Sequence, residues 1–264
     1  MKLFQFSFSA LVYLLFWSVF TYLLVFLGGP FLGLTALENH TGLASILKTV
    51  DGGPVLLAMP GIPPAVANAL LVLAFGLQHS LMARTGFKTL IRRLVPLALE
   101  RSVYVLATCA VLTWFYLAWQ PIEQTIWSVS GAVSIVPIAL FFAGAGLVVW
   151  STFMISHGQL FGIAQAWYAL RGRACPEEQF GTPALYKFSR HPMYLGILIV
   201  FWSTPAMTVG HFIAASLFTI YVFVGIGYEE RDLLKAFGSA YEEYIKNVPQ
   251  LFPVGYKAPG IGDD

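Results

Sequence analysis

An apolar run long enough to cross a bilayer leaves a chain few choices, and this sequence begins with one: FSFSALVYLLFWSVFTYLLVFL, Phe6 to Leu27. About 20 apolar residues span the hydrocarbon core as a helix, which satisfies its own backbone hydrogen bonds. The run is long for the core of a signal peptide and lacks a clear small-residue cleavage site, so it reads as a retained span. Further spans are expected at Ala65 to Met82, Val103 to Trp119 and Ile135 to Ser156. The last apolar stretch, Pro192 to Ile226, has room for two helices, with TPAMTVG, Thr204 to Gly210, as the turn between them. Its first arm is short and must tilt, thin the bilayer or stop partway. The expected fold is an all-α polytopic membrane protein of six spans, or five if that arm fails to cross, with a cytosolic C-terminal helical segment. Residues 1–264 would form a single domain.

Charge placement agrees with this count. Of 15 Lys and Arg residues, all but Lys48 fall on one side if both termini are cytoplasmic, as the positive-inside rule requires. That topology puts the site at the cytoplasmic face of the membrane. With 58% hydrophobic and 11% charged residues, the chain departs from a soluble domain, where about 25% would be charged. The net charge of +2 is dispersed, which gives nucleic-acid binding no support. Cys109 and Cys175 fit no disulfide framework or paired metal motif. The histidines lack a nearby acidic ligand set, so no metal is expected, and no P-loop or dinucleotide fingerprint occurs.

Two segments are expected to lie along the membrane surface. In FKTLIRRLV, Phe87, Leu90, Ile91 and Leu94 recur at helical spacing beside Lys88, Arg92 and Arg93. Leu234, Phe237, Tyr241, Tyr244 and Val248 form a second apolar stripe, placed to wall over a site near Glu229 and Glu230.

Polar groups near apolar helices need partners, cavities or headgroups. Three clusters meet that description at the same end of the spans: Gln78, His79, Ser80 and Arg84; Ser156, His157 and Gln159; Arg190, His191 and Tyr194. Their common depth lets them converge on one pocket. Pro192 suits a first helical turn, and Gly196 admits either a ligand or another helix. Arg190 could equally neutralise a lipid phosphate, and Glu229 with Glu230 could be a charged stop. Together, however, an arginine, two carboxylates, a histidine and a tyrosine suit an amino-acid-like zwitterion. His79, His157 and Tyr194 are the candidate catalytic groups, and either histidine could instead bond a neighbouring span. His40 and His211 are expected on the opposite side.

RHPMYLG, Arg190 to Gly196, followed by YEERDLLKAFG, Tyr228 to Gly238, and YEEYIKNVP, Tyr241 to Pro249, resembles the isoprenylcysteine carboxyl methyltransferases and phospholipid methyltransferases. FGLQHSLMARTGFK, ERSVYVLATC and STFMISHGQLFG resemble the NnrU-like branch that includes methanethiol S-methyltransferases. The resemblance implies that Arg190, His191, Pro192, Tyr194, Gly196, Glu229 and Glu230 surround S-adenosyl-L-methionine, within a cofactor-binding portion at 190–253. It also implies a small thiol acceptor, converted to dimethyl sulfide in the case of methanethiol, with membrane lipids around the protein. An isoprenylcysteine or lipid acceptor, and a non-catalytic NnrU-like transporter or nitrogen-oxide-associated component, are the alternatives.

Overall fold

The computed structural model describes residues 1–29, 31–32, 47–176 and 180–252. His40 and Lys257 therefore lie outside the described residues. In chain order the helices are α1 (Lys2–Gly28), α2 (Pro64–Ala83), α3 (Thr85–Ile91), α4 (Glu100–Ala118), α5 (Ile135–Ile155), α6 (His157–Leu160), α7 (Ile163–Leu170), α8 (Pro192–Trp202), α9 (Val209–Phe237) and α10 (Ser239–Asn247). Strands β1 (Thr125–Ser128) and β2 (Ala206–Thr208) pair antiparallel. Five helices are long and apolar enough to cross a membrane: α1, α2, α4, α5 and α9. The chain is thus an all-α polytopic membrane protein. Helix α1 packs on α4, α4 on α2, α2 on α9, α9 on α8 and α8 on α5. The Phe141 ring of α5 closes the circuit against Gly28 of α1.

Helix α8 is the short arm foreseen from the sequence. Its 11 residues rise only about 16 Å at ~1.5 Å each, roughly half a hydrocarbon core. Trp202, at its end, donates from Nε1 to Thr219 Oγ1 at 3.0 Å, so α9 continues well past it. The extended residues 203–208 climb alongside those turns and reach the Thr208 cap, whose hydroxyl accepts from the His211 amide at 3.1 Å. Ser203, Thr204, Met207 and Thr208 are buried. Non-helical backbone at membrane depth is tolerated where protein covers it. The short arm is therefore a helix continued by extended chain, beside the five helices that are long and apolar enough to cross a membrane.

Two glycines in α5 and α8 explain their close approach. A Cβ on Gly196 would lie 2.7 Å from the Gly144 carbonyl oxygen, and one on Gly144 would lie 2.8 Å from Ile199. Small residues bring membrane helices into backbone contact in this way. Of the two partners that the sequence allowed for Gly196, the structure supplies the helix.

Lys48, the one basic residue expected outside, is buried rather than free in solvent. Its Nζ donates to the Gly53 carbonyl at 3.2 Å, and the nearby Val50 carbonyl accepts from Trp119 Nε1 at 3.0 Å. This segment plugs the end of the bundle opposite the basic loops. His211 is also there, its Nε2 3.0 Å from the Phe201 carbonyl and its Nδ1 3.5 Å from Asp51. Burial lowers the Lys48 pKa from 10.5 to about 8. The folded protein then gives up this proton before the unfolded chain does, so Lys48 makes stability rise with pH between about 8 and 10.5. Melting curves in detergent across that range should show the rise in the wild type and a smaller one in Lys48→Met.

Candidate active site

At the basic end, Pro192 opens α8 and leaves His191 as its cap, with φ −132° and ψ 61°. The segment just before it is stitched to the C-terminal chain: the Arg190 amide donates to the Pro249 carbonyl at 3.0 Å and the His191 amide to the Gln250 carbonyl at 3.1 Å. Leu251 follows into a small core with Leu198, Val222 and Ile226. Tyr244 donates from its hydroxyl to the Tyr186 carbonyl. The second apolar stripe is broken at Gly238, with φ 54°, so Tyr241, Tyr244 and Val248 fold back beneath α9 against Phe180 and Phe237. This is the wall that the sequence placed beside the glutamates.

Arg190 is fully engaged within the protein. Its Nε lies 2.9 Å and its Nη2 2.8 Å from Glu230 Oε1. Nη1 donates to the Ile245 carbonyl at 3.2 Å and to that of Val248. Those carbonyls end α10 and have no partner within the helix, so a cation there also meets the favourable end of the helix dipole. His191 Nε2 sits 3.0 Å from the same Glu230 oxygen. Side chains of Arg190 and Glu230 are 9% and 17% exposed, which makes this a sheltered clasp joining α8, α9 and α10.

Glu229 is held differently. It is exposed and its Oε2 accepts from the Tyr194 hydroxyl at 2.7 Å. Among the described residues no cation pairs with it. The adjacent carboxylates thus point to different partners, which relieves the repulsion expected of neighbours. The Tyr194 hydroxyl lies over Gly225, one turn before Glu229. On the same face, Tyr221 packs over Gly76 of α2, where a Cβ would meet its ring at 3.1 Å. Buried Tyr241 turns its hydroxyl toward the Arg190–Glu230 pair and feels the charges of Glu230, Arg190 and Glu229. Burial, then Glu230, push its pKa above that of free tyrosine.

The first cluster joins the same region. Arg84 bonds Asp232 of α9 at 2.9 Å and covers the Tyr228 ring at 4.4 Å. His79 lies 2.7 Å from the Tyr104 hydroxyl and stacks on Phe75. Tyr104 is within electrostatic reach of Tyr221 and Tyr194. The second cluster goes elsewhere: α5 breaks at Ser156, with φ −167°, and the His157 ring turns back to stack on Phe153 at 4.0 Å. His157 Nε2 is 2.8 Å from the Tyr13 hydroxyl of α1, and burial lowers its pKa. Gly162 is left-handed, with φ 85°, and a Cβ there would meet Ser102 Oγ at 2.6 Å. The SHGQLFG turn is therefore built to seat α7 under α1 and α4.

Comparison with known proteins decides the family. The chain is 44% identical over 224 residues to methanethiol S-methyltransferase of Pseudomonas deceptionensis, covering 84% of each chain. It is 40% identical over 256 residues to the methanethiol S-methyltransferase of a Pseudomonas sp., covering 96% of this chain and 91% of the relative. The Mycobacterium tuberculosis methanethiol S-methyltransferase is 42% identical over 207 residues, 78% of this chain and 84% of its own.

The chain belongs to the methanethiol S-methyltransferase family. No family profile matches it, and no solved structure does so significantly. Arg190 is paired with Glu230, while Glu229 has no cationic partner among the described residues. Tyr104, Tyr221 and Tyr241 were not singled out from the sequence as functional. Tyr104 and Thr108 stand four apart within ERSVYVLATC, a spacing that places both on the face meeting His79.

Proposed function

We propose that the protein methylates methanethiol with S-adenosylmethionine, giving dimethyl sulfide and S-adenosylhomocysteine, at the basic end of the bundle. The observation that carries this reading is the uncompensated Glu229, held by Tyr194 beside the neutralised Arg190–Glu230–His191 clasp. When bound, the donor supplies a methyl group on a positively charged sulfur. Glu229 offers the carboxylate that a cationic ligand needs, and Tyr194 orients it. Arg190, His191 and Pro192 hold the α8 entrance in place and thereby fix Glu230. Gly196 contributes through the close α5–α8 packing that sets the tilt of α8. Catalysis then consists chiefly of bringing the acceptor sulfur in line with the methyl carbon in a site that excludes water.

The distribution of basic residues supports a cytoplasmic placement of this end, and of both termini, in a bacterial inner membrane. The purified protein, given labelled S-adenosylmethionine with methanethiol, a prenylcysteine and a lipid acceptor in competition, should yield labelled dimethyl sulfide. Label appearing only in prenylcysteine or lipid would sink the thiol assignment. Glu229→Gln should weaken donor binding about tenfold or more, because a charge-assisted contact is lost. Its melting temperature should stay near that of the wild type, since Glu229 is exposed and forms no ion pair among the described residues; calorimetric titration and a melting curve check both.

A further inference from the structure

The hydrogen positions around His79 follow from its neighbours. Thr108 Oγ1 donates to the Tyr104 carbonyl at 3.0 Å, the usual back-bond of a helical threonine. Its one hydrogen is thereby spent, so Thr108 must accept from His79 Nδ1, 3.4 Å away. Nε2 then carries the lone pair, and the Tyr104 hydroxyl at 2.7 Å is the donor. The phenolic oxygen keeps its own lone pairs available to another donor.

Tyr104 also lines a small cleft with Met82, Phe87, Lys88, Ile91, Glu100 and Arg101. Met82, Phe87 and Ile91 give it an apolar wall, and Lys88, Glu100 and Arg101 a charged one. The Arg101 guanidinium sits 4.7 Å from the centre of the Tyr104 ring, and the Glu100 carboxylate is paired with Arg92, so the nearest unpaired charge is a cation, which favours a thiolate over a thiol. His157 has the same hydrogen pattern, since Thr152 donates to the Val149 carbonyl and faces Nδ1 while Tyr13 faces Nε2. It sits instead among Tyr13, Trp17, Phe153 and Phe161, whereas Tyr104 lies within electrostatic reach of Tyr194 beside Glu229.

The geometry points to Tyr104 as the catalytic residue that takes the proton from the acceptor thiol, with His79 behind it as the proton's destination. This rests on the methyl-transfer reading above. The S–H bond breaks toward the Tyr104 oxygen as the Tyr104 hydroxyl proton passes to His79 Nε2. The thiolate sulfur then bonds the methyl carbon, and the carbon–sulfonium bond breaks, its electron pair returning to the leaving sulfur as a neutral thioether. His79, now an imidazolium, releases the proton to water, so one proton leaves per turnover.

The test is the pH dependence of turnover by the full-length enzyme with saturating S-adenosylmethionine. Charged or titratable groups around the pair are Lys88 on α3, Glu100 and Arg101 on α4, Tyr194 on α8, and Tyr221 and Glu229 on α9. Rates are therefore read as the ratio of variant to wild type, which cancels their common titrations. Tyr104→Phe should lose about 100-fold in kcat at neutral pH, the usual scale of general-base catalysis. That deficit should shrink as rising pH ionises the thiol in solution, while donor affinity stays unchanged. His79→Gln, which keeps an acceptor for the Tyr104 hydroxyl, should show the same convergence and serves if Tyr104→Phe does not fold. A deficit independent of pH, with an active wild type, overturns the role of Tyr104 alone. A wild type that makes no dimethyl sulfide overturns the thiol reading on which it stands.

Discussion

Arg190→Ala should lose both donor binding and fold stability, and the two losses should have one cause. Removing the guanidinium leaves Glu230 sheltered with only His191 beside it, and it orphans the Ile245 and Val248 carbonyls that end α10. Breaking a buried pair in this way costs about 3–5 kcal/mol; the exposed edge of Glu230 puts this case at the lower end. The C-terminal wall should loosen with it, because residues 249–250 are hydrogen-bonded to residues 190–191. Arg190→Lys should recover little, since one ammonium cannot reach the carboxylate and both carbonyls with the geometry of the fork. Thermal unfolding in detergent and titration with S-adenosylmethionine measure the two effects together. Loss of affinity with an unchanged melting temperature would mean that the guanidinium grips the donor itself.

A side chain at Gly196 should do more damage still. The nearest atoms to its added Cβ are the Gly144 carbonyl oxygen at 2.7 Å, Val148 Cγ2 at 2.9 Å and the Val148 amide nitrogen at 3.0 Å. Two of the three are backbone and cannot rotate away. Gly196→Ala should therefore cost about 1–3 kcal/mol, the range of overpacked cores, and Gly196→Leu should yield little folded protein. Gly146, on the same helix α5, has nothing within 4 Å of an added Cβ, so Gly146→Ala should melt at the wild-type temperature or above. Equal effects at the two glycines would show that helix propensity, rather than the α5–α8 contact, sets the cost.

The spans were legible because hydropathy and charge act locally along the chain. Phe6 to Leu27 and Ile135 to Ser156 read from composition alone, and they emerge as α1 and α5. The residues that pair across helices were legible only in part. Residue type and depth brought His79, Arg190, His191, Tyr194, Glu229 and Glu230 together, and the structure sets them in one region. Depth alone also drew in His157, which a single extended residue at Ser156 turns toward α1 instead. Nor could spacing reveal that Arg190 spends its hydrogen bonds on the end of α10. That contact depends on Gly238 folding the chain back, and a turn direction is fixed by tertiary packing rather than by the apolar stripe that continues through it.

The short helix α8 and the extended chain that continues it also bear on how the protein enters the membrane. Eleven apolar residues are too few to be recognised alone as a membrane segment, and the bare amides of residues 203–208 would meet lipid without their neighbours. During synthesis α8 must therefore wait for α9 and insert with it as a hairpin. A polar tag or a stop placed within 203–208 should strand α8 at the surface, and with it the strap that carries Arg190 and His191. The entrance to the site is thus assembled last, when the final long helix arrives.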